Sequence, residues 1–433
     1  MIFEKLQEFR NSIYESLGKA KDTVFELMDA VLTSPSTNSF VSLSMSPLFR
    51  RKWPSIYAAL QDSRFPQAQL MKLMVKEIEQ EEQPLLSGDH SPWLRPDAET
   101  LKDRGFQHGK GGSIGIGQSY STLAWVPEGS GSWALPLKHE RITSFETPVR
   151  RAAFQLKQVT RQLGVRPLAT YDRGYGNASF VKQTADIEAD LLLRLASNRC
   201  VWGEPPEYSG RGAPCKHGHK FKFNAPETWT EPTTTIEVSD PKIGRLQVML
   251  WSDFHFRGAS ERPMQILRVE VIEPIGRNRK FKPLWLAWLG NTMPPLNSLW
   301  LKYLRRFAIE HWYRFAKQRL HWTLPQLSST HAAERWSALM PLMTWQLWFA
   351  RLECADSPLP WQSAQDSLAP GRVAQAFALI IAAIGTPALP PKLRGKSPGR
   401  PKGTRTPRIR YPIVKKHASK PKKSDKPPEP IAI

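Results

Sequence analysis

Cysteine is scarce: Cys200, Cys215 and Cys354 are the three in 433 residues. Three thiols spread that far build no disulfide framework, and a reducing cytoplasmic setting is expected. Long apolar runs are missing too. The most apolar stretch, Ala376 to Ile384, is far below the roughly 20 residues of a spanning helix, so no membrane partner is expected. The opening Met1-Ile2-Phe3-Glu4-Lys5 lacks a basic segment followed by an apolar one, so no secretory signal is read there. Acidic charge is short: 39 Asp and Glu face 61 Lys and Arg, a formal net charge of +22. Such a chain repels itself and attracts polyanions, with nucleic acid first and an anionic membrane surface second. Hydrophobic residues still make up 40 %, enough for a real core.

Several partial signals are set aside. Gly109 to Gly117 is glycine-rich but has neither the Walker spacing nor a dinucleotide fingerprint opening a helix. It reads as a turn feeding a strand. Cys200, Cys215, His217 and His219 are zinc ligands by type, at a spacing that fits no standard finger.

Along the chain the texture changes four times. Residues 1–82 carry apolar residues at helical intervals (Phe3, Leu6, Phe9, Ile13; Val24, Leu27, Met28, Val31) and a basic Arg50-Arg51-Lys52 patch. A helical domain is expected, either packed on the rest or DNA-binding. Residues 83–199 alternate short strands with helices. Pro84–Asp89 and Pro167–Asp172 read as strands ending on an acid, Ser113–Val126 as a strand or hairpin, Thr147–Leu163 as an amphipathic helix, and Asn177 as a helix cap. Residues 200–291 are β-rich, with strands at 234–238, 246–251, 265–271 and 284–289. Residues 292–390 turn helical, with one long helix from about Leu296 to Leu320 and others from about His331 and Val373. From residue 391 the composition is that of a disordered tail. Between Lys392 and Ile433 stand 14 Lys and Arg against two acids, with eight prolines.

The long helix carries the sharpest pattern: Tyr303, Arg306, Glu310 and Lys317. At about 100° per residue, steps of seven and four keep all four on one stripe. A carboxylate flanked by a hydroxyl and two cations is an odd core stripe, and it suits a metal ion with phosphates beside it. An ordinary i,i+4 Arg–Glu pair on a solvated face is the simpler reading of the helix alone. Asp89 and Asp172, closing two strands, add like charges that a cation would reconcile. Three carboxylates of this kind suit two hard divalent ions.

The spacing Tyr303-x2-Arg306-x3-Glu310-x6-Lys317 resembles the Y-(2)-R-(3)-E-(6)-K signature of a large group of bacterial insertion-sequence transposases. Asp89-His90-Ser91-Pro92-Trp93-Leu94-Arg95-Pro96-Asp97-Ala98 is similar to that group's first-acid segment, and Tyr171-Asp172-Arg173-Gly174-Tyr175-Gly176 to its second. The basic tail after Pro398-Gly399-Arg400-Pro401-Lys402-Gly403 resembles theirs as well. The resemblance implies an RNase-H-like α/β core with a β-rich insertion, which would fill the 138 positions between Asp172 and Glu310. It implies a DDE triad of Asp89, Asp172 and Glu310 holding two Mg²⁺ ions, with Mn²⁺ as a substitute. It implies phosphate contacts from Tyr303, Arg306 and Lys317, and double-stranded DNA bound by a homo-oligomer, a dimer on the nucleoid. The implied reaction is cleavage at element ends followed by strand transfer into target DNA. A non-catalytic basic DNA-binding protein and an endonuclease without strand transfer are the alternatives. Asp97 and Asp103 compete with Asp89 for the first acid, but only Asp89 follows an apolar strand-like run. Trp202, Trp229 and Trp251 are the insertion tryptophans able to hold a flipped base, although core packing is the ordinary role for each. Arg400 sits at the centre of an AT-hook-like Gly-Arg-Pro, a candidate for the narrow minor groove.

Overall fold

A computed structural model describes residues 3–78, 82–109, 112–129, 131–276, 282–392 and 409–416, with Gly399 and Gly403. Arg400 and residues 417–433 lie outside the described residues.

Five helices come first: α1 (Glu4–Ser16), α2 (Lys21–Thr33), α3 (Phe40–Leu43), α4 (Pro54–Asp62) and α5 (Gln67–Lys76). Then follow β1 (Leu85–Leu94), β2 (Gly105–His108), β3 (Ile114–Trp125), β4 (Leu135–Ile142), α6 (Pro148–Leu163), β5 (Leu168–Tyr171), α7 (Ala178–Gln183) and β6 (Asp190–Leu195). The β-rich part comprises β7 (Cys200–Trp202), β8 (Lys220–Lys222), β9 (Thr234–Asp240), β10 (Gly244–Phe256), β11 (Ala259–Pro274) and β12 (Leu284–Leu289). Four helices close the chain: α8 (Leu296–Arg305), α9 (Phe307–Gln318), α10 (Thr330–Ala350) and α11 (Pro370–Ile384).

The result is a mixed α/β molecule built on one large mixed sheet. Its order is β2-β3-β1-β5-β6-β12-β11-β10-β7-β8, with β4 beside β3 and β9 beside β10. β1 pairs antiparallel with β3 and parallel with β5, and β5 pairs parallel with β6. β5 is buried along its whole length, as an apolar run covered on both faces must be. The expected β-rich segment therefore does not stand apart. β12 returns to pair antiparallel with β6, and β11 and β10 extend the same sheet.

Local signals explain the elements beside the site. Thr147 caps α6 by accepting from Arg150 N, and Gly164, at positive φ, ends it. Ala152, Leu156 and Val159, three or four apart, form its buried stripe. Asn177 caps α7 as expected, accepting from Phe180 N. α10 is buried almost all round and packs on β4. The N-terminal helices share one hydrophobic core with α10 and α11. Two cations of the Arg50-Arg51-Lys52 patch serve that packing: both pair with the buried Glu26, and they donate to Ala388 O and Leu389 O.

Three expectations need correction. The single long helix is two, parted at Arg306, where Arg306 N bonds back only three residues to Tyr303 O. β2 and β4 were not foreseen. Of the tail expected to be disordered, residues 409–416 are placed along β2. Val414 N donates to Arg104 O at 2.7 Å and Tyr411 N to Glu99 O at 2.8 Å. Backbone pairing with a free sheet edge holds this segment despite its polar composition.

Candidate active site

The parallel pairing of β1 with β5 matches Gly88 to Tyr171, so the residues that follow, Asp89 and Asp172, stand side by side. Asp172 follows the last residue of β5 as expected, but Asp89 does not close its strand: β1 runs on to Leu94, because Asp89 to Leu94 stay paired with Thr122 to Gly117 of β3. Gly88 is required there, because a Cβ would overlap the Tyr171 ring. Asp89 is 17 % exposed. Burial and then the Asp172 carboxylate push its pKa up to about 7, against the pull of Arg306 and the His90 N–H, with Glu310 adding a smaller upward push. Asp172 accepts from Gly174 N at 2.9 Å, an Asx turn closing the strand.

α9 packs across β1 and brings the third acid. Arg306 lies between them: its Nη2 donates to Glu310 Oε1 at 2.5 Å, and its Nη1 stands 3.6 Å from Asp89 Oδ2. The guanidinium is 3 % exposed, whereas Glu310 is 48 % exposed at the mouth. Tyr303 is buried, with its ring 5.7 Å from the Arg306 guanidinium carbon. Burial raises its phenol above the usual range, while Arg306 lowers it. Lys317, two turns beyond Glu310, donates to Ser91 Oγ at 2.8 Å. In spite of the break, Arg306 and Lys317 both reach β1, at Asp89 and Ser91, and Arg306 ties Glu310 and the Tyr303 ring to that place.

Sequence reasoning missed the pins behind these groups. The Tyr313 hydroxyl reaches Asp89 O at 3.0 Å and Thr122 Oγ1 at 2.7 Å. Tyr175 OH bonds the His90 ring at 3.0 Å. The signal was available for Tyr313: three residues after Glu310, it falls on the face of α9 turned to the sheet. Asp103, a rival first acid, is spent on Arg141 and on Ser144 N. Trp251 is buried, and its indole donates to Thr230 O. Trp229 stacks on Phe221 and donates to Lys222 O. Trp202 packs beside His217. His217 and His255 face each other at 2.9 Å, while His219 lies against Phe254, so the four zinc-type residues do not converge.

Among the described residues, no three His, Cys, Asp or Glu side chains stand close enough to enclose a metal ion. The expected cluster of three carboxylates is open because the Arg306 guanidinium fills the gap between Asp89 and Glu310. The donor chemistry still fits a divalent cation. All three groups are hard oxygen donors, and the repulsion that lifts Asp89 is the kind an ion relieves.

Carboxylates side by side on neighbouring parallel strands, backed by cations from a packed helix, suit phosphodiester chemistry. A family model described as DDE superfamily endonuclease matches residues 12–253, just over half of the chain, and the chain belongs to that family. The matched segment holds Asp89 and Asp172 and stops short of Glu310. The family implies a DNA substrate. No curated protein matches the chain, and no helix among the described residues is long and apolar enough to cross a membrane.

Proposed function

We propose that this chain is an insertion-sequence transposase of the Y-(2)-R-(3)-E-(6)-K group, with an RNase-H-like core. It cuts DNA at the element's ends and joins the freed 3′-hydroxyl to target DNA. The observation that supports it is that Asp89 stands beside Asp172 by strand register while Arg306 links Asp89 to Glu310. The succession β4-β3-β1-β5-β6, three antiparallel strands and then two parallel, supports the RNase-H-like reading.

Asp89, Asp172 and Glu310 would hold two Mg²⁺ ions, with Mn²⁺ as a substitute. When bound, these supply Lewis-acid stabilisation of the charge that develops in phosphoryl transfer. The rest is done by the chain's own groups. Tyr313 fixes the backbone at Asp89, so its carboxylate stays beside Asp172. Tyr303, Arg306 and Lys317 present a hydroxyl and two cations to the phosphates flanking the cleaved bond, the fork of Arg306 matching two phosphate oxygens. Two element ends must meet for integration, so the working form is a homodimer on DNA. The Pro398–Gly403 segment, with Arg400, would add minor-groove contacts.

Asp89→Asn, Asp172→Asn and Glu310→Gln are each expected to remove Mg²⁺-dependent cleavage of element-end DNA while leaving duplex binding largely intact. Cleavage retained in any one strikes that residue from the site. Cleavage without joining, in a strand-transfer assay of the unaltered chain, would reduce the protein to an endonuclease.

A further inference from the structure

We propose that Arg306 is a stand-in cation. It bridges Asp89 and Glu310 in the ion-free protein and passes to a DNA phosphate when a divalent ion takes its place, so that ion loading and DNA binding reinforce each other. This rests on the reading of Asp89, Asp172 and Glu310 as ligands for divalent ions.

The bonding of Arg306 contrasts with that of Arg10, which is buried, and Arg319, which is partly buried. Arg319 spends its donors on the carbonyls of Val31, Leu32, Ser34 and Ala374. Arg10 spends its own on Asp29, Gln346 and Gly385 O. Both are structural clamps. Arg306, as hidden as Arg10, has one hydrogen bond from its side chain, to Glu310, while Nε and Nη1 have none. Unspent donors on a buried guanidinium are costly. They fit a group whose better partner, a planar polyoxyanion, arrives later.

The backbone is arranged for such a transfer. Arg306 stands at the break between α8 and α9, with three-residue bonds on both sides: its N–H to Tyr303 O, and Ile309 N to its own carbonyl, each at 3.0 Å. A junction of this kind absorbs a small rotation more readily than an unbroken helix. The rings of Phe307 and Tyr303, 5.1 and 5.7 Å from the guanidinium carbon, offer it a surface to slide along without leaving the site. The guanidinium and a divalent ion cannot both occupy the space between the same two carboxylates. A competitor for the ion that is also a ligand for DNA must couple the two equilibria, and the coupling is reciprocal.

The test is isothermal calorimetric titration of Mn²⁺ into the full chain without DNA, for the unaltered protein, Arg306→Gln, Arg306→Lys, Lys317→Gln and, as a control on the metal site, Asp172→Asn. Arg306→Gln is expected to bind Mn²⁺ about tenfold more tightly, because its competitor is gone. Arg306→Lys should give a smaller gain, since an ammonium holds fewer directed contacts. Lys317→Gln, which removes a nearby positive charge without opening the bridge, should stay within about threefold. In parallel, Ca²⁺ should strengthen duplex binding by the unaltered chain, and most of that gain should vanish in Arg306→Gln. Unchanged or weaker Mn²⁺ binding in both Arg306 variants overturns the proposal. So does an equal gain in Lys317→Gln, which would reduce the effect to bulk charge. Mn²⁺ binding that survives Asp172→Asn, or is absent from every variant, instead sinks the metal-site reading beneath it.

Discussion

His139 shows how tightly the ground beneath the carboxylates is built. It is buried on β4, its ring stacked 5.3 Å from Tyr120, and its Nδ1 bonds Thr122 Oγ1 at 2.8 Å. Thr122 pairs with Asp89 across β1 and β3. Burial, and then the charge of Lys317, push the imidazole pKa down to about 3. The sign of the consequence is fixed. Between pH 6.5 and about 3 the unfolded chain takes up a proton that the folded one refuses, so this residue costs stability as pH falls below 6.5 and is without effect above it. One proton per molecule amounts to about 2 kcal/mol by pH 5. Asp89, whose raised pKa makes the folded chain take up a proton over the same range, works in the opposite direction, so the His139 contribution is read as a difference: from pH 7 to pH 5 in urea unfolding, His139→Asn is expected to fare better than the unaltered chain by that amount. An identical pH dependence in the variant would mean that His139 takes up its proton in the folded protein.

At the scale of elements, legibility followed periodicity. The first half of β1, β5 and the helices α6, α9 and α11 announced themselves through apolar runs or stripes, and the caps Thr147 and Asn177 through side-chain chemistry; His90 to Leu94 of β1 did not, since polar and proline residues interrupt the run. β4 did not, because Lys138, His139, Glu140 and Arg141 interrupt its apolar pattern. Two of those polar groups, His139 and Arg141, find their partners in Thr122 and Glu334 on other elements. The break at Arg306 was equally hidden, since nothing in Leu304-Arg305-Arg306-Phe307 forbids a continuous helix. The stripe of four chemical residues was legible from spacing alone. That a guanidinium would sit among the acids was not, for it depends on α9 lying across β1. The strand-like segment at 409–416 escaped notice because its hold on β2 is made by the backbone, and composition is blind to that. Val414→Pro removes the N–H given to Arg104 O without altering charge. The variant is expected to lose about 1 kcal/mol locally while the core stays folded. Limited trypsin digestion should then cut faster after Arg410, Lys415 and Lys416. Unchanged protection would show that other contacts, among them the Arg410–Glu99 ion pair at 3.0 Å, hold the segment.

For the whole molecule the governing quantity is charge, and it is unevenly placed. Residues 392–416 carry ten Lys and Arg and no acid, whereas 417–433 carry four Lys against Asp425 and Glu429. The docked part of the tail lies near the carboxylates: Val414 and Lys416 line a cavity of about 410 Å³ together with His90, the neighbour of Asp89. Lys415 and Lys416 are therefore held close to that cavity by the docked segment. Each phosphate neutralised contributes about 0.9 to the log–log dependence of DNA affinity on salt. A chain ending at residue 416 should keep nearly the slope of the full chain, because it loses a net charge of only +2. A chain ending at residue 391 should lose several units of slope and at most about 11, the lower figures being expected because Arg410 and Lys416 are already engaged within the protein. Fluorescence anisotropy of a labelled duplex over a salt series measures all three. If the chain ending at 391 kept the full slope, the phosphate contacts would have to be assigned to the folded body instead, to Arg306, Lys317 and the cations around them.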